Sequence, residues 1–206
     1  MTAVPSVRRR FALVAAFVVL AFSAAYASRT FRAWRAERTA TRSAEWISAG
    51  DARRERAPNG YWLARDFEID TLPRSARLLA LGDPEYVLWL NGRRVGSGTY
   101  AESSALDAFE VAPFLQPGVN RIAVEVRSDR GPSGFLASLE DLSNPDAANP
   151  PRPIVVTDHS FRVYRRYDGA ILSGVRTLPS GTPAYSWSTP PIGRWGEPLV
   201  GPTLPT

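Results

Sequence analysis

The sequence predicts an all-β protein, an antiparallel β-sandwich preceded by one N-terminal transmembrane or signal helix. Three observations lead there. An apolar run at residues 85–90 enters Asn91-Gly92 and a second short strand follows. Asn-Gly is the preferred two-residue hairpin loop, because both central residues of a type I′ turn need positive φ. From Trp46 onward, short apolar runs alternate with turn residues and no helical period separates them. Residues 11–27 are an uncharged apolar run directly behind Arg8-Arg9-Arg10.

The N-terminal elements come first. Residues 1–10 read as a positively charged cytoplasmic region and 11–27 as a signal anchor. At about 1.5 Å per residue the run reaches roughly 26 Å, close to a ~30 Å hydrocarbon core. Ala25-Tyr26-Ala27 has the small-x-small form of a cleavage site, so removal after Ala27 is the competing expectation. Against cleavage stand the length of the run and the flank of Arg29, Arg32, Arg35 and Arg38. The triple arginine places the folded part on the extracytoplasmic side of a cell membrane, as a single-pass protein. Residues 28–45, rich in Arg, Ala and Glu and free of Gly and Pro, read as a helical stalk.

The sandwich is expected over 46–166. In residues 61–69, Tyr61, Leu63, Arg65, Phe67 and Ile69 share a face; 76–81 form a second run, closed by Gly82-Asp83-Pro84. In 85–90, Tyr86, Leu88 and Leu90 occupy one face and Val87 and Trp89 the other, as in a strand flanked on both sides. Residues 94–97 return the hairpin, 108–111 are short, and Pro117 to Asn120 form a turn. In 121–127, Ile122, Val124 and Val126 point inward and Glu125 outward; 134–139 and 154–163 complete the set. Residues 167–206 hold seven prolines, with Trp187 and Trp195 among them, and are expected to be an extended arm without regular sheet or helix.

Composition excludes whole classes of chemistry. All 25 basic residues are arginine, there is no cysteine, and there is one histidine. Schiff-base and P-loop chemistry need lysine, thiol catalysis and zinc-thiolate sites need cysteine, and a multi-histidine metal site needs more than one His. The net charge of +5 is unevenly spread. Residues 1–56 hold 11 Arg against 4 acids, whereas 57–206 hold 14 Arg against 16 acids. The basic excess lies outside the expected fold, so nucleic acid is not the expected partner.

The order Trp46-Ile47, Tyr61-Trp62-Leu63-Ala64-Arg65-Asp66-Phe67-Glu68-Ile69, Tyr86 to Gly96 around Asn91-Gly92, Phe109-Glu110-Val111, Leu115-x-x-Gly118-x-Asn120 and Val156-Thr157-Asp158-His159-Ser160-Phe161 resembles a known module. It is similar to the galactose-binding-like jelly roll that precedes the catalytic domains of bacterial α-L-rhamnosidases and family 2 glycoside hydrolases. The resemblance covers 46 to about 163, and Phe161 stands where the family usually has Trp. It implies a sugar-binding accessory module without the catalytic domain, and a structural calcium is common in such jelly rolls.

No catalytic residues are expected. Asp158-His159-Ser160 has the residue types of a triad, but consecutive strand positions face opposite ways. Asp66 and Glu68 share a strand face, the one arrangement of paired carboxylates that remains. Asp141, Asn144 and Asp146 offer clustered oxygens for calcium; no other cofactor is expected. Sugar binding needs aromatic faces beside amides and carboxylates, and Tyr100, Trp187 and Trp195 lie in expected loops, while Trp62 and Trp89 are expected in the core. The expected function is a non-catalytic, membrane-anchored module contacting carbohydrate or envelope glycan. The alternative is a protein-interaction subunit of an envelope complex.

Overall fold

A computed structural model of the chain describes residues 41–51, 60–100, 105–127, 133–143, 151–192, 195 and the backbone of 199–204. In chain order its strands are β1 (Trp46–Ser48), β2 (Gly60–Ile69), β3 (Ala76–Asp83), β4 (Glu85–Leu90), β5 (Arg93–Thr99), β6 (Ala105–Glu110), β7 (Gly118–Arg127), β8 (Gly134–Asp141), β9 (Arg152–Val156), β10 (Arg162–Tyr164), β11 (Thr182–Pro183), β12 (Tyr185–Ser188) and β13 (Leu199–Leu204). A single-turn helix, α1 (Gly169–Leu172), precedes β11. The first sheet runs β12-β1-β8-β3-β6-β13, with β9 also on β8; the second runs β11-β10-β2-β7-β4-β5. Pairing is antiparallel except where β13 lies parallel to β6.

The two sheets close on a core of their alternate residues. Tyr61, Leu63, Phe67 and Ile69 of β2, Tyr86, Leu88 and Leu90 of β4, and Ile122, Val124 and Val126 of β7 meet Leu78, Ala80, Phe109, Phe135, Ala137 and Leu139 of the first sheet. The first sheet is apolar on its other face too, where Leu79, Leu81, Leu106 and Leu136 pack with Trp46 and Trp195. That two-sided burial is why β3 and β8 read as continuous apolar runs rather than alternating ones. β5 approaches the core closely. A Cβ on Gly96 would stand 2.3 Å from the Phe109 ring. The Tyr86 hydroxyl donates to Asp107 at 2.6 Å across the same strand. Burial, then the Asp107 charge, pushes the Tyr86 hydroxyl up, so it stays protonated and donates. Burial likewise raises the Asp107 carboxyl, against the opposing pull of that hydrogen bond.

Asn91 and Gly92 both have positive φ, at 51° and 79°, as the type I′ reading requires. The Asn-Gly hairpin and the Leu-x-x-Gly-x-Asn turn prove to be one interlocked unit. The Asn91 amide donates to Asn120 Oδ1 at 2.8 Å and to the Phe114 carbonyl, and its own oxygen accepts from the Arg121 amide. Asn120 is fully buried and also accepts from Gln116 N and donates to the Gln116 and Gly118 carbonyls.

Three expectations need correction. The Pro-rich segment 167–206 contributes α1, β11, β12 and β13 instead of remaining without regular structure. Its strands sit at sheet edges, where a proline's missing N–H costs no ladder bond. The expected strand 154–163 is two strands, β9 and β10, separated by a turn at Asp158. The last residues of the expected stalk, 41–45, form a turn, not a helix. Ala44 donates to Thr41, Glu45 donates to Thr157, and Arg42 pairs with the buried Glu140 at 3.4 Å. The rest of the expected stalk and the expected span 11–27 lie outside the described residues. Among the described residues no helix is long and apolar enough to cross a membrane.

Candidate functional site

Asp158-His159-Ser160 is a turn and not a strand segment. Asp158 Oδ1 accepts from the Ser160 amide at 2.7 Å and from its hydroxyl, so acid and hydroxyl meet directly while His159 points to solvent. Arg65, in the middle of the inward row of β2, reaches Asp158 at 3.2 Å. Burial opposes ionisation of Asp158, but the Ser160 bonds, Arg65 and His159 outweigh it and hold its carboxyl below the usual range. The group closes a loop, and no imidazole lies between acid and hydroxyl as nucleophilic catalysis demands.

The carboxylate pair of β2 is divided between two tasks. Asp66 takes Arg121 in a bidentate bond, 2.6 Å to Nε and 2.8 Å to Nη2. Arg121 is 2% exposed. Its remaining N–H groups donate to the carbonyls of Ala170 and Ser173 at 2.5 Å and Arg176 at 2.8 Å, so all five are used. This clamp ties the segment around α1 onto the outer face of the second sheet, where Ile171 packs with Ala64, Ala123 and Tyr164. Sequence reading placed Arg121 at a strand end and missed this role. An arginine on the outward row beside Asp66 was the available signal.

Glu68 instead lines a cleft at the end of the sandwich. About 590 Å³ of open space lies among the β2–β3 connection, the end of β8 and β9. Its charged lining is Glu68, Asp70, Arg74, Asp141 and Arg152, with the hydroxyls of Thr71 and Ser143 beside them. Asp141 accepts from the Ser143 amide at 2.8 Å, and the Ser143 hydroxyl accepts from the Arg74 amide at 2.8 Å. Among the described residues, the charged groups of Glu68, Asp70, Arg74 and Arg152 are exposed and carry no hydrogen bond or ion pair. The cleft thus presents unengaged donors and acceptors on both sides of one concavity. Of the calcium candidates, Asp141 lies in this cleft, and Asn144 and Asp146 lie outside the described residues. No group of three acids or histidines is placed to hold a metal among the described residues.

The three loop aromatics converge on the outer face of the first sheet. Trp195 is 4% exposed, stacks on Trp46 at 4.5 Å and 11°, and donates its indole N–H to Asp83 at 2.6 Å. It is a core residue, not a platform, because both the ring and its polar edge are occupied. Gly134 leaves the room it needs. Trp187 sets its edge against Trp195 and donates to Ser48 at 2.9 Å, and Tyr100 meets Trp46 edge-on; both are half-buried. Trp62 and Trp89 are a second correction. They are half-buried on the outer face of the second sheet, 5.1 Å apart, with Tyr167 at 5.2 Å from Trp62. The period-2 pattern of β2 and β4 put them opposite the core row.

No protein-family model matches the chain, and no curated protein matches it. Solved structures do. A Pleurotus ostreatus lectin in complex with GalNAc has a TM-score of 0.64 and 23% identity, over 78% of this chain and 46% of the lectin. The Streptomyces avermitilis α-L-rhamnosidase complexed with L-rhamnose has a TM-score of 0.65 and 17% identity, over 76% of this chain and 16% of the enzyme. A GH78 rhamnosidase of Bacillus sp. GL1 has a TM-score of 0.57 and 23% identity, over 79% and 19%. The two-sheet β-sandwich is thus a fold that this chain shares with parts of the lectin and of the rhamnosidases. The chain spans just under half of the lectin's length and under a fifth of the length of these two rhamnosidases.

Proposed function

We propose that the chain is a non-catalytic carbohydrate-binding module, tethered by its N-terminal apolar segment at the outer face of a membrane, with the end cleft as its sugar site. The unengaged charges of that cleft are the observation that carries the reading. A sugar hydroxyl both donates and accepts, so it is served best by carboxylates and guanidinium groups on facing walls, with charge-assisted hydrogen bonds. The cleft volume of about 590 Å³ falls in the range of small-ligand sites. The similar structures were solved with GalNAc and with L-rhamnose bound, which supports the same class of ligand. The non-catalytic reading is supported by the engagement of Asp66 with Arg121 and by the short share of each rhamnosidase that is matched.

The test is a glycan array probed with the full chain and with an Asp70→Asn/Arg152→Gln variant. Saturable binding by the native chain, weakened about ten- to a hundredfold in the variant, is expected from two charge-assisted bonds. A folded native chain that binds no glycan, or a variant that binds as well as the native chain, overturns the assignment. For the tether, the expected outcome is recovery of the full chain with membranes after alkaline carbonate washing; a chain released by the wash contradicts it.

A further inference from the structure

We propose that the outer face of the second sheet carries another sugar subsite, formed by Trp62, Trp89 and Tyr167 and stacking on the apolar face of a pyranose ring. The inference rests on the carbohydrate reading above but on different residues. Trp62 and Trp89 project from β2 and β4 with ring centroids 5.1 Å apart, and Tyr167 adds a third ring 5.2 Å from Trp62. Tyr167 is 60% exposed, a large aromatic left in water.

That exposure is not the freedom of a loose tail. On one side Tyr164 is paired in β10 and its hydroxyl donates to the Pro179 carbonyl at 2.9 Å. On the other, Asp168 caps α1 through the Ala170 amide at 2.8 Å, and Arg121 grips the carbonyls of Ala170, Ser173 and Arg176. The ring is presented from a backbone fixed at both ends, so little ordering entropy remains to be lost on binding. The rim is polar. Glu125 lies opposite Trp62 and Val87 in the ladder, and Arg127 bridges Glu85 at 3.0 Å and Glu125 at 3.8 Å.

An apolar centre with charged acceptors and donors at its margin matches a pyranose, whose C–H face is attracted to the negative face of an aromatic ring and whose hydroxyls radiate from the edge. A protein partner fits less well, because a stable interface takes about 800 Å² per side and three rings, two of them half-buried, supply far less. Trp62 and Glu68 share the outer face of β2 and are about 20 Å apart at roughly 3.3 Å per residue, with the clamped segment between them. Tract and cleft are therefore separate. A glycan with repeated sugars gains from both, whereas a free monosaccharide engages one at a time.

The experiment measures apparent affinities of the full chain for oligosaccharides printed on an array, with Tyr167→Ala, Tyr167→Trp and Trp62→Leu variants beside the cleft variant. Tyr167→Ala is expected to weaken binding about three- to tenfold, the scale of one aromatic contact, and Tyr167→Trp to retain it. Tyr167 is exposed, so its substitution leaves the fold intact. Tract variants that bind like the native chain while the cleft variant loses binding overturn the tract alone. Tract variants that lose binding while the cleft variant keeps it support the tract and overturn the cleft. No binding by the folded native chain overturns both.

Discussion

Replacing Arg121 by methionine tests the clamp that holds the C-terminal segment on the second sheet. The guanidinium is 2% exposed and makes five hydrogen bonds, two to the Asp66 carboxylate and three to the carbonyls of Ala170, Ser173 and Arg176. Methionine keeps most of the aliphatic stem and removes every donor. Breaking a buried ion pair by deleting one partner costs about 3–5 kcal/mol. Asp66 is 36% exposed and can rehydrate once released, which places the expected loss near the lower limit, about 3 kcal/mol. Part of the loss is local, because the carbonyls regain water only if the segment around α1 lifts. Urea unfolding followed by circular dichroism reads the global term, and amide hydrogen exchange across 167–178 reads the local one. The expected result is a lower midpoint together with faster exchange in that segment. A loss under about 1 kcal/mol with unchanged exchange there would refute the clamp.

Asn120→Ala removes four hydrogen bonds from a fully buried side chain and leaves the Asn91 amide with one partner; a loss of about 3 kcal/mol is expected in denaturant unfolding. Gly96→Ala puts a Cβ 2.3 Å from the Phe109 ring, and overpacking of about 1–3 kcal/mol should appear as a lower melting temperature. Asp158 has a folded-state pKa below its ordinary 3.8, so its contribution is present above that value and lost as pH falls below it. Asp158→Asn should therefore flatten the acid limb of the stability profile below about pH 4, as read by thermal unfolding across pH.

Much of the fold was legible because it rests on local patterns. The alternation in β2, β4 and β7 assigned the inward rows correctly, and Asn91-Gly92 announced its turn through the two residues that accept positive φ. The edge role of the prolines was not legible, since proline density opposes regular structure while an edge position tolerates it. Trp62 and Trp89 are expected in the core because most aromatics are packing residues, although their parity places them outside it; their half-burial depends on the C-terminal segment, over a hundred residues away in the case of Trp62 and Tyr167. Trp195 illustrates the converse. Nothing near it in the chain reveals Trp46 and Asp83, which hold its ring and its N–H. The cleft joins residues near 70, 141 and 152, and only the pairing of β3 with β8 and of β8 with β9 brings these together. Arg121 reads only as the start of the run 121–127, whereas its five acceptors come from β2 and from residues 170–176, each about fifty residues away in the chain.

The most direct test of the sugar-site assignment is amide NMR of the isotope-labelled full chain, titrated with the oligosaccharide that gives the strongest array signal. A sugar site in the cleft predicts saturable shift changes at Glu68, Asp70, Arg74, Asp141 and Arg152, the residues whose charges are placed around the open space. Saturation of the protein with those amides unmoved would contradict it.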